Sequence, residues 1–180
     1  MTMKSPPKFD IRTAQPRERA AAAEIVVAAF ARLAAHLEPA ERVKLFDRVR
    51  ESTTNPDPGE TIVAVSGDRV VGSVVYNRPG PGQHPKFAAD WAFFRALGVD
   101  EAWGGRGIGR GLVAECVARA RGEGAAWIGL YAADVNEIAV GLYQRMGFKV
   151  LGEPFSHWGV AYRVYGLDLS AGGQVGTTMR

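Results

Sequence analysis

The stretch WGGRGIGRGL, Trp103 to Leu112, packs five glycines and two arginines into ten residues. Glycine loses more conformational freedom on folding than any other residue, so so dense a run needs a compensating reason. An apolar, strand-like run, WAFFRALGV, precedes it, and Leu112, Val113, Cys116, Val117 and Ala120 follow at helical spacing. The run is therefore a tight strand-to-helix junction, not a flexible linker. A helix N-terminus presents unpaired backbone N–H groups and a partial positive charge of about +0.5. Gly107, Gly109 and Gly111 remove side chains there, so a pyrophosphate can approach the amides, and Arg106 and Arg110 add charge at the same mouth. Gly109 to Ala114 also fits the dinucleotide pattern G-x-G-x-x-A, with Asp134 at the end of the next strand. Against that reading, DEAWGGR separates the strand from the matching glycines, and the pattern lies too far along the chain for the remaining βα units. No Gly-Lys-Ser/Thr follows, so this is not a nucleotide-hydrolysing loop, and the phosphate is held rather than cleaved.

The rest of the chain reads as one mixed α/β domain over 9–169, with loose tails at 1–8 and 170–180. Its 180 residues, 47% hydrophobic and 23% charged, suffice for a core without a metal or disulfide. An alanine-rich helix is expected from Pro16 to about His36 and a second from Pro39 to about Glu51. TIVAVSGDRVVGSVVYN predicts a hairpin turning at Gly67, and RPGPGQHPKFAAD a loop of a size that often covers a binding site. After the glycine run come a helix ending near Gly122 or Gly124, the buried strand AWIGLYA, and a short helix with Asn136 at its N-cap and Gly147 at its stop. FKVLGE and VAYRVYGLDL close as strands.

Composition narrows the function classes. The 22 basic residues are interspersed with 19 acidic ones, which argues against nucleic acid as a partner. MTMKSPPKFD lacks the apolar stretch of a signal peptide, and no run approaches the roughly 20 apolar residues of a membrane span, so a cytoplasmic protein with no membrane partner is expected. The single cysteine, Cys116, falls on an apolar helical stripe and reads as core packing; no Cys/His/Asp cluster implies a metal.

With these residues in place, the chain resembles the GNAT superfamily of acetyl-CoA-dependent N-acetyltransferases. Leu97, Val99, Gly107, Ile108 and Gly109 stand in register with that family's strand end and phosphate loop. Asn136, Ala139, Tyr143, Gly147 and Phe148 match its second motif. Gly104 replaces the usual Gln or Arg, a loss for which Arg106 or Arg110 can compensate. The resemblance implies a central, mostly antiparallel sheet with splayed parallel strands, flanked by helices. It further implies acetyl-CoA as acyl donor, direct attack by a primary amine in a ternary complex, and no metal. Implied cofactor contacts are Leu97, Gly98, Val99, Gly104, Gly105, Arg106, Gly107, Ile108, Gly109, Arg110, Gly111, Asn136, Ala139 and Tyr143. Among these, the Val99 amide would donate to the oxyanion, Gly98 would admit the pantetheine arm at the strand edge, and Tyr143 would protonate the leaving thiolate. Asn136 lies seven residues before Tyr143 and so on the same helix face.

The acceptor half is less determined. A protonated amine, with a lysine-like pKa near 10.4, must lose a proton before it attacks. Asp90 and Glu101 are the carboxylates nearest the strand in sequence; both also read as solvated surface acids, and a water chain is the alternative base. His84 and His157 lie in two irregular stretches that would border the acceptor and, with Tyr131, Trp158 and Tyr162, would shape an amine pocket. The acceptor is a small-molecule or peptide amine: an antibiotic, a polyamine, an amino acid or a protein N-terminus. A homodimer is compatible with the sequence. Two other functions remain open at this point: a catalytically silent acyl-CoA sensor, and an NAD(P)-dependent reductase.

Overall fold

The computed structural model describes residues 8–170, so the two expected tails fall almost entirely outside it. The elements run β1 (Asp10–Thr13), α1 (Arg19–Ala29), α2 (Ala31–Ala34), α3 (Pro39–Thr54), β2 (Glu60–Ser66), β3 (Arg69–Asn77), β4 (Trp91–Val99), α4 (Ile108–Gly122), β5 (Trp127–Ala133), α5 (Glu137–Arg145), β6 (Lys149–His157) and β7 (Val160–Asp168). The strands form one sheet in the order β1-β2-β3-β4-β5-β7-β6. Every neighbouring pair is antiparallel except β4 with β5, where α4 makes the crossover. This is the expected mixed α/β architecture. Among the described residues, no helix is long and apolar enough to cross a membrane, and no group of His, Cys, Asp and Glu is arranged to hold a metal ion.

Two local expectations change. The first helix is broken: a 3-10 turn at Pro16–Glu18 leads into α1, and Phe30 separates α1 from the single turn of α2. The Phe30 N–H is shared between the carbonyls of Val26 and Val27, at 3.0 and 3.2 Å, which tightens the helix and turns the chain. β1 has no counterpart in the sequence reading, because four residues alternating charge and bulk carry too little period; its pairing with β2 creates it.

α1 to α3 cover one face of the sheet and α4 and α5 the other. On the second face Ile62, Val71, Val74, Phe94, Ile108, Leu112, Cys116, Ile128 and Tyr165 form the main core, and Cys116 is indeed packed within it. On the first face a smaller core gathers Val26, Leu33, Leu45, Val49, Ala133 and Tyr162.

β4 carries an irregularity that places the site. Its pairing with β3 slips by one residue between Ser73↔Gly98 and Val75↔Arg95, and Ala96 sits at φ +54°. The extra residue reverses the alternation of side chains. Ala92 and Phe94 point to the α4 face before the slip, Leu97 and Val99 after it, while Arg95 and Gly98 face α1 and α3.

Candidate active site

β4 and β5 hydrogen-bond only from Trp91↔Trp127 to Phe93↔Gly129, then part. The gap opens into a cavity of about 460 Å³ that passes through the sheet. Phe94, Leu97, Leu130, Asn136 and Tyr143 line it from the α5 side, and Arg95, Tyr131, Phe30, Leu45 and Val49 from the helical face opposite. Asp100 N–H donates to the Val71 carbonyl at 2.9 Å. Ladder alternation then turns the Val99 N–H to the other edge of β4, the edge facing the gap.

The glycine run meets this gap at the first turn of α4. Gly105 and Gly107 have φ of +72° and +79°, the left-handed region that side chains resist. None of the N–H groups from Gly105 to Arg110 finds an acceptor among the described residues. A chain of free amides bent through left-handed turns and ending at a helix start is a concavity for an anion. A Cβ on Gly109 would sit 3.3 Å from Leu142 Cδ2 and 3.7 Å from Val99 Cγ2, so the cradle abuts both α5 and the open end of β4. Arg106 lies over the Trp103 ring at 4.8 Å, and Arg110 is exposed in the first turn.

Three glycines of the run and its strand have reasons other than a phosphate. Gly111 donates its N–H to the Gly107 carbonyl at 2.9 Å, and a Cβ there would fall 2.7 Å from Ile11 Cδ1; it seats β1 on α4. Gly104 donates to the Glu101 carbonyl at 3.1 Å. At Gly98 a Cβ would lie 2.8 Å from the Val26 Cα, so its missing side chain admits α1 and not a ligand arm. Ala139 packs against the main core.

Tyr143 reaches the cavity from α5, gripped by Phe94, Phe148 and Tyr165 with ring centroids 5.8 to 6.2 Å apart. Its hydroxyl makes no hydrogen bond among the described residues, and burial pushes its ionisation well above the usual tyrosine value, keeping the proton in place. Asn136 stands at the N-cap but caps with its backbone only, leaving its amide free beside the same cavity. Neither sequence-proposed carboxylate reaches the site. Asp90 is exposed before the end of β4 that is zipped to β5, and Glu101 is exposed in a 3-10 turn past the other end; neither lines the cavity. Nearness in sequence is a poor guide here: the cavity opens beside the middle of β4, and the two acids stand beyond its ends.

The two histidines do converge. Phe87 lies over Gly129, where a Cβ would fall 2.9 Å from its Cδ1, and anchors the 78–90 loop so that His84 lines the cavity. His84 lies tilted against Tyr131 at 5.3 Å, and His157 meets the same ring edge-on at 5.9 Å and Tyr162 at 5.0 Å. Burial, then neighbouring cations (Lys86 and Arg95 for His84, Arg48 and Lys86 for His157), pulls both below the ordinary histidine value and favours the neutral ring. Trp158 and Tyr162 complete that wall. Arg95, Asn77, Gln83 and Arg48 also line the cavity, and the sequence reading missed all four. Arg95, the one break in an apolar strand, was the available signal.

Known proteins complete this description. The family model described as Acetyltransferase (GNAT) family matches residues 23–148. The mycothiol acetyltransferase of Geodermatophilus obscurus is 35% identical over 101 residues, which cover 56% of this chain and 32% of that protein. The matches take in only 16% to 40% of the length of the curated relatives. Among solved structures, yncA of Salmonella typhimurium, determined with its cofactor acetyl-CoA, superposes with a TM-score of 0.63 at 20% identity, covering 89% of this chain and 94% of that one. YjaB of Escherichia coli, in its apo form, gives 0.64 at 26% identity over 89% and 97%. The free amides at α4, the parted strands and a family match across most of the described fold agree: the chain belongs to the GNAT acetyltransferase family.

Proposed function

We propose that this chain moves the acetyl group of acetyl-CoA to a primary amine by direct attack within a ternary complex. One observation carries the reading: the amides of Gly105 to Arg110, unpartnered among the described residues, lie beside the open end of β4, where β4 and β5 part around one cavity lined from both faces of the sheet. Donor and acceptor can thus enter from opposite faces and meet in the gap. The names of relatives, a mycothiol acetyltransferase and N-acetyltransferase 8B of Homo sapiens, fit the same chemistry.

Acetyl-CoA supplies the acetyl group as an activated thioester. The α4 amides, with Arg106 and Arg110 beside them, hold its diphosphate, and the free edge of β4 takes the pantetheine arm as a strand would. The Val99 N–H donates to the carbonyl oxygen as negative charge develops there. Asn136 positions the arm, and the Tyr143 hydroxyl, held protonated by burial, gives its proton to the departing sulfur. A C–N bond forms as the C–S bond breaks, and the surplus amine proton leaves through neutral His84 or His157, directly or by water.

Thermal-shift titration with acetyl-CoA, coenzyme A and NAD(P)H tests the donor side. Ligand at a hundred times its Kd raises stability by about 2.7 kcal/mol. Stabilisation by acetyl-CoA and thiol release with an amine panel support the transferase. Binding without thiol release from any amine would mark an acyl-CoA sensor, and stabilisation by NAD(P)H alone a reductase.

A further inference from the structure

The cavity contains a cation, Arg95, that pairs with no carboxylate among the described residues. Arg95 projects from β4 into the cavity and is half-buried. It donates to the carbonyls of Ser52 at 3.1 Å and Pro56 at 3.2 Å, and pairs with no carboxylate among the described residues. A guanidinium carries five N–H donors; two are used here, so three are left without an acceptor among the described residues. Glu51 and Asp57 also line the cavity but are exposed at its margin, and Glu51 accepts from Asn55 Nδ2 at 2.9 Å. The charges acting on His84, His157 and Tyr131 are those of Arg95 and of the exposed Lys86 and Arg48, all positive. Burying an unpaired guanidinium is costly unless a ligand completes it.

The order of groups along β4 then gives the acceptor a direction. The free Val99 N–H and Tyr143 lie where the strands are parted, Arg95 comes next, and Asn77, paired with Phe93, lies beyond it. Asn77 Oδ1 and Gln83 Oε1 are both buried without a partner and line that far end. An acceptor reaching the gap with its amine would therefore pass Arg95 and end among hydrogen-bond acceptors.

We infer that the acceptor is an amino-carboxylic acid whose carboxylate docks on Arg95, with the amine directed to the parted strands and its side chain along Tyr131, His84 and Tyr162. The planar fork of arginine matches a carboxylate with two N–H groups at once, which a lysine cannot do. The inference rests on the acetyl-transfer reading and narrows it to one substrate class.

The test compares free amino acids with their carboxamides, pair by pair. Binding to the coenzyme A-saturated protein is measured by calorimetry, and thiol release from acetyl-CoA is followed in parallel. The acids should be preferred by about tenfold or more, as loss of a charge-assisted hydrogen bond predicts. Arg95→Gln should erase that ratio through KM, and Arg95→Lys should restore part of it. Arg95 also ties α3 to β4, but a ratio taken within one variant is unaffected by a loss of folded protein. Coenzyme A affinity should stay unchanged in both variants. Equal use of acids and amides, a preference that survives Arg95→Gln, or no binding by any carboxylate-bearing amine overturns the inference. If acetyl-CoA is bound and amides turn over as well as the acids, the transferase stands and only this inference falls; if coenzyme A is not bound by the parent protein, both fall.

Discussion

The two faces of the sheet achieve recognition with different atoms. On the α4 and α5 face the proposed ligand contacts are mostly backbone: six consecutive amides without acceptors, two left-handed glycines and the free edge of a strand. On the α1 to α3 face they are side chains, with Arg95, His84, His157 and Tyr131 drawn from β4, a loop, the end of β6 and β5. A backbone site depends on where the chain bends, and its weak points are glycines. A side-chain site depends on how remote segments pack, and its weak points are single functional groups.

The largest expected effect lies where the two halves meet. Tyr143→Phe keeps the ring among Phe94, Phe148 and Tyr165 but removes the proton, so kcat should fall by about 100-fold or more with coenzyme A affinity intact; stopped thiol release against an unchanged Kd is the signature, and undiminished turnover removes the assignment. Gly107→Ala should cost about 1–2 kcal/mol of stability from its left-handed φ and weaken coenzyme A binding about tenfold. Gly67→Ala, at φ +58° in the β2–β3 turn, is the matched control: equal strain, no change in coenzyme A affinity. If the two variants bind coenzyme A alike, the amide cradle is wrong.

Gly98→Ala should behave differently again. Its Cβ would press on the backbone of α1, lowering stability by about 1–3 kcal/mol while the folded fraction still binds coenzyme A normally; denaturant melts and calorimetry separate the two. The histidines give the acceptor side a pH signature. In the unfolded chain they titrate near 6.5, and in the folded chain lower, so below that pH the unfolded state binds more protons. Stability is therefore full above about pH 6.5 and declines as pH falls from there toward the lowered folded values. The double variant His84→Gln, His157→Gln should flatten that decline in Tm measured from pH 8 to 5. Gly111→Ala should change least. Its amide is already used inside the helix, alanine suits that position better, and only the movable tip of Ile11 must shift; stability and coenzyme A affinity should both stay within about 0.5 kcal/mol of the parent.

How much of this was readable beforehand follows the same division. The places of Gly107 and Gly109 at the start of α4 and of Tyr143 on α5 are legible in the sequence, because each sits in a local pattern tied to one junction or one helix face. At Gly98 and Gly111 a glycine in sequence does not say what occupies the space it leaves: α1 fills one and Ile11 the other. Asp90 and Glu101 are close to β4 along the chain, but the bulge and splay of β4 put the cavity beside its middle and not at its ends. His84 and His157 stand 73 positions apart, and only the packing of the loop, β5 and β6 brings both against Tyr131.

By itself the sequence determined the strand–glycine–helix junction, the hairpin and the order of elements from the second helix onward, because turn chemistry and side-chain period act over a few residues. Tertiary structure decided which amides stay unpaired, where β4 slips register, and which cations face one chamber. Those depend on pairings between distant segments, where a one-residue shift on a strand sends every later side chain to the opposite face.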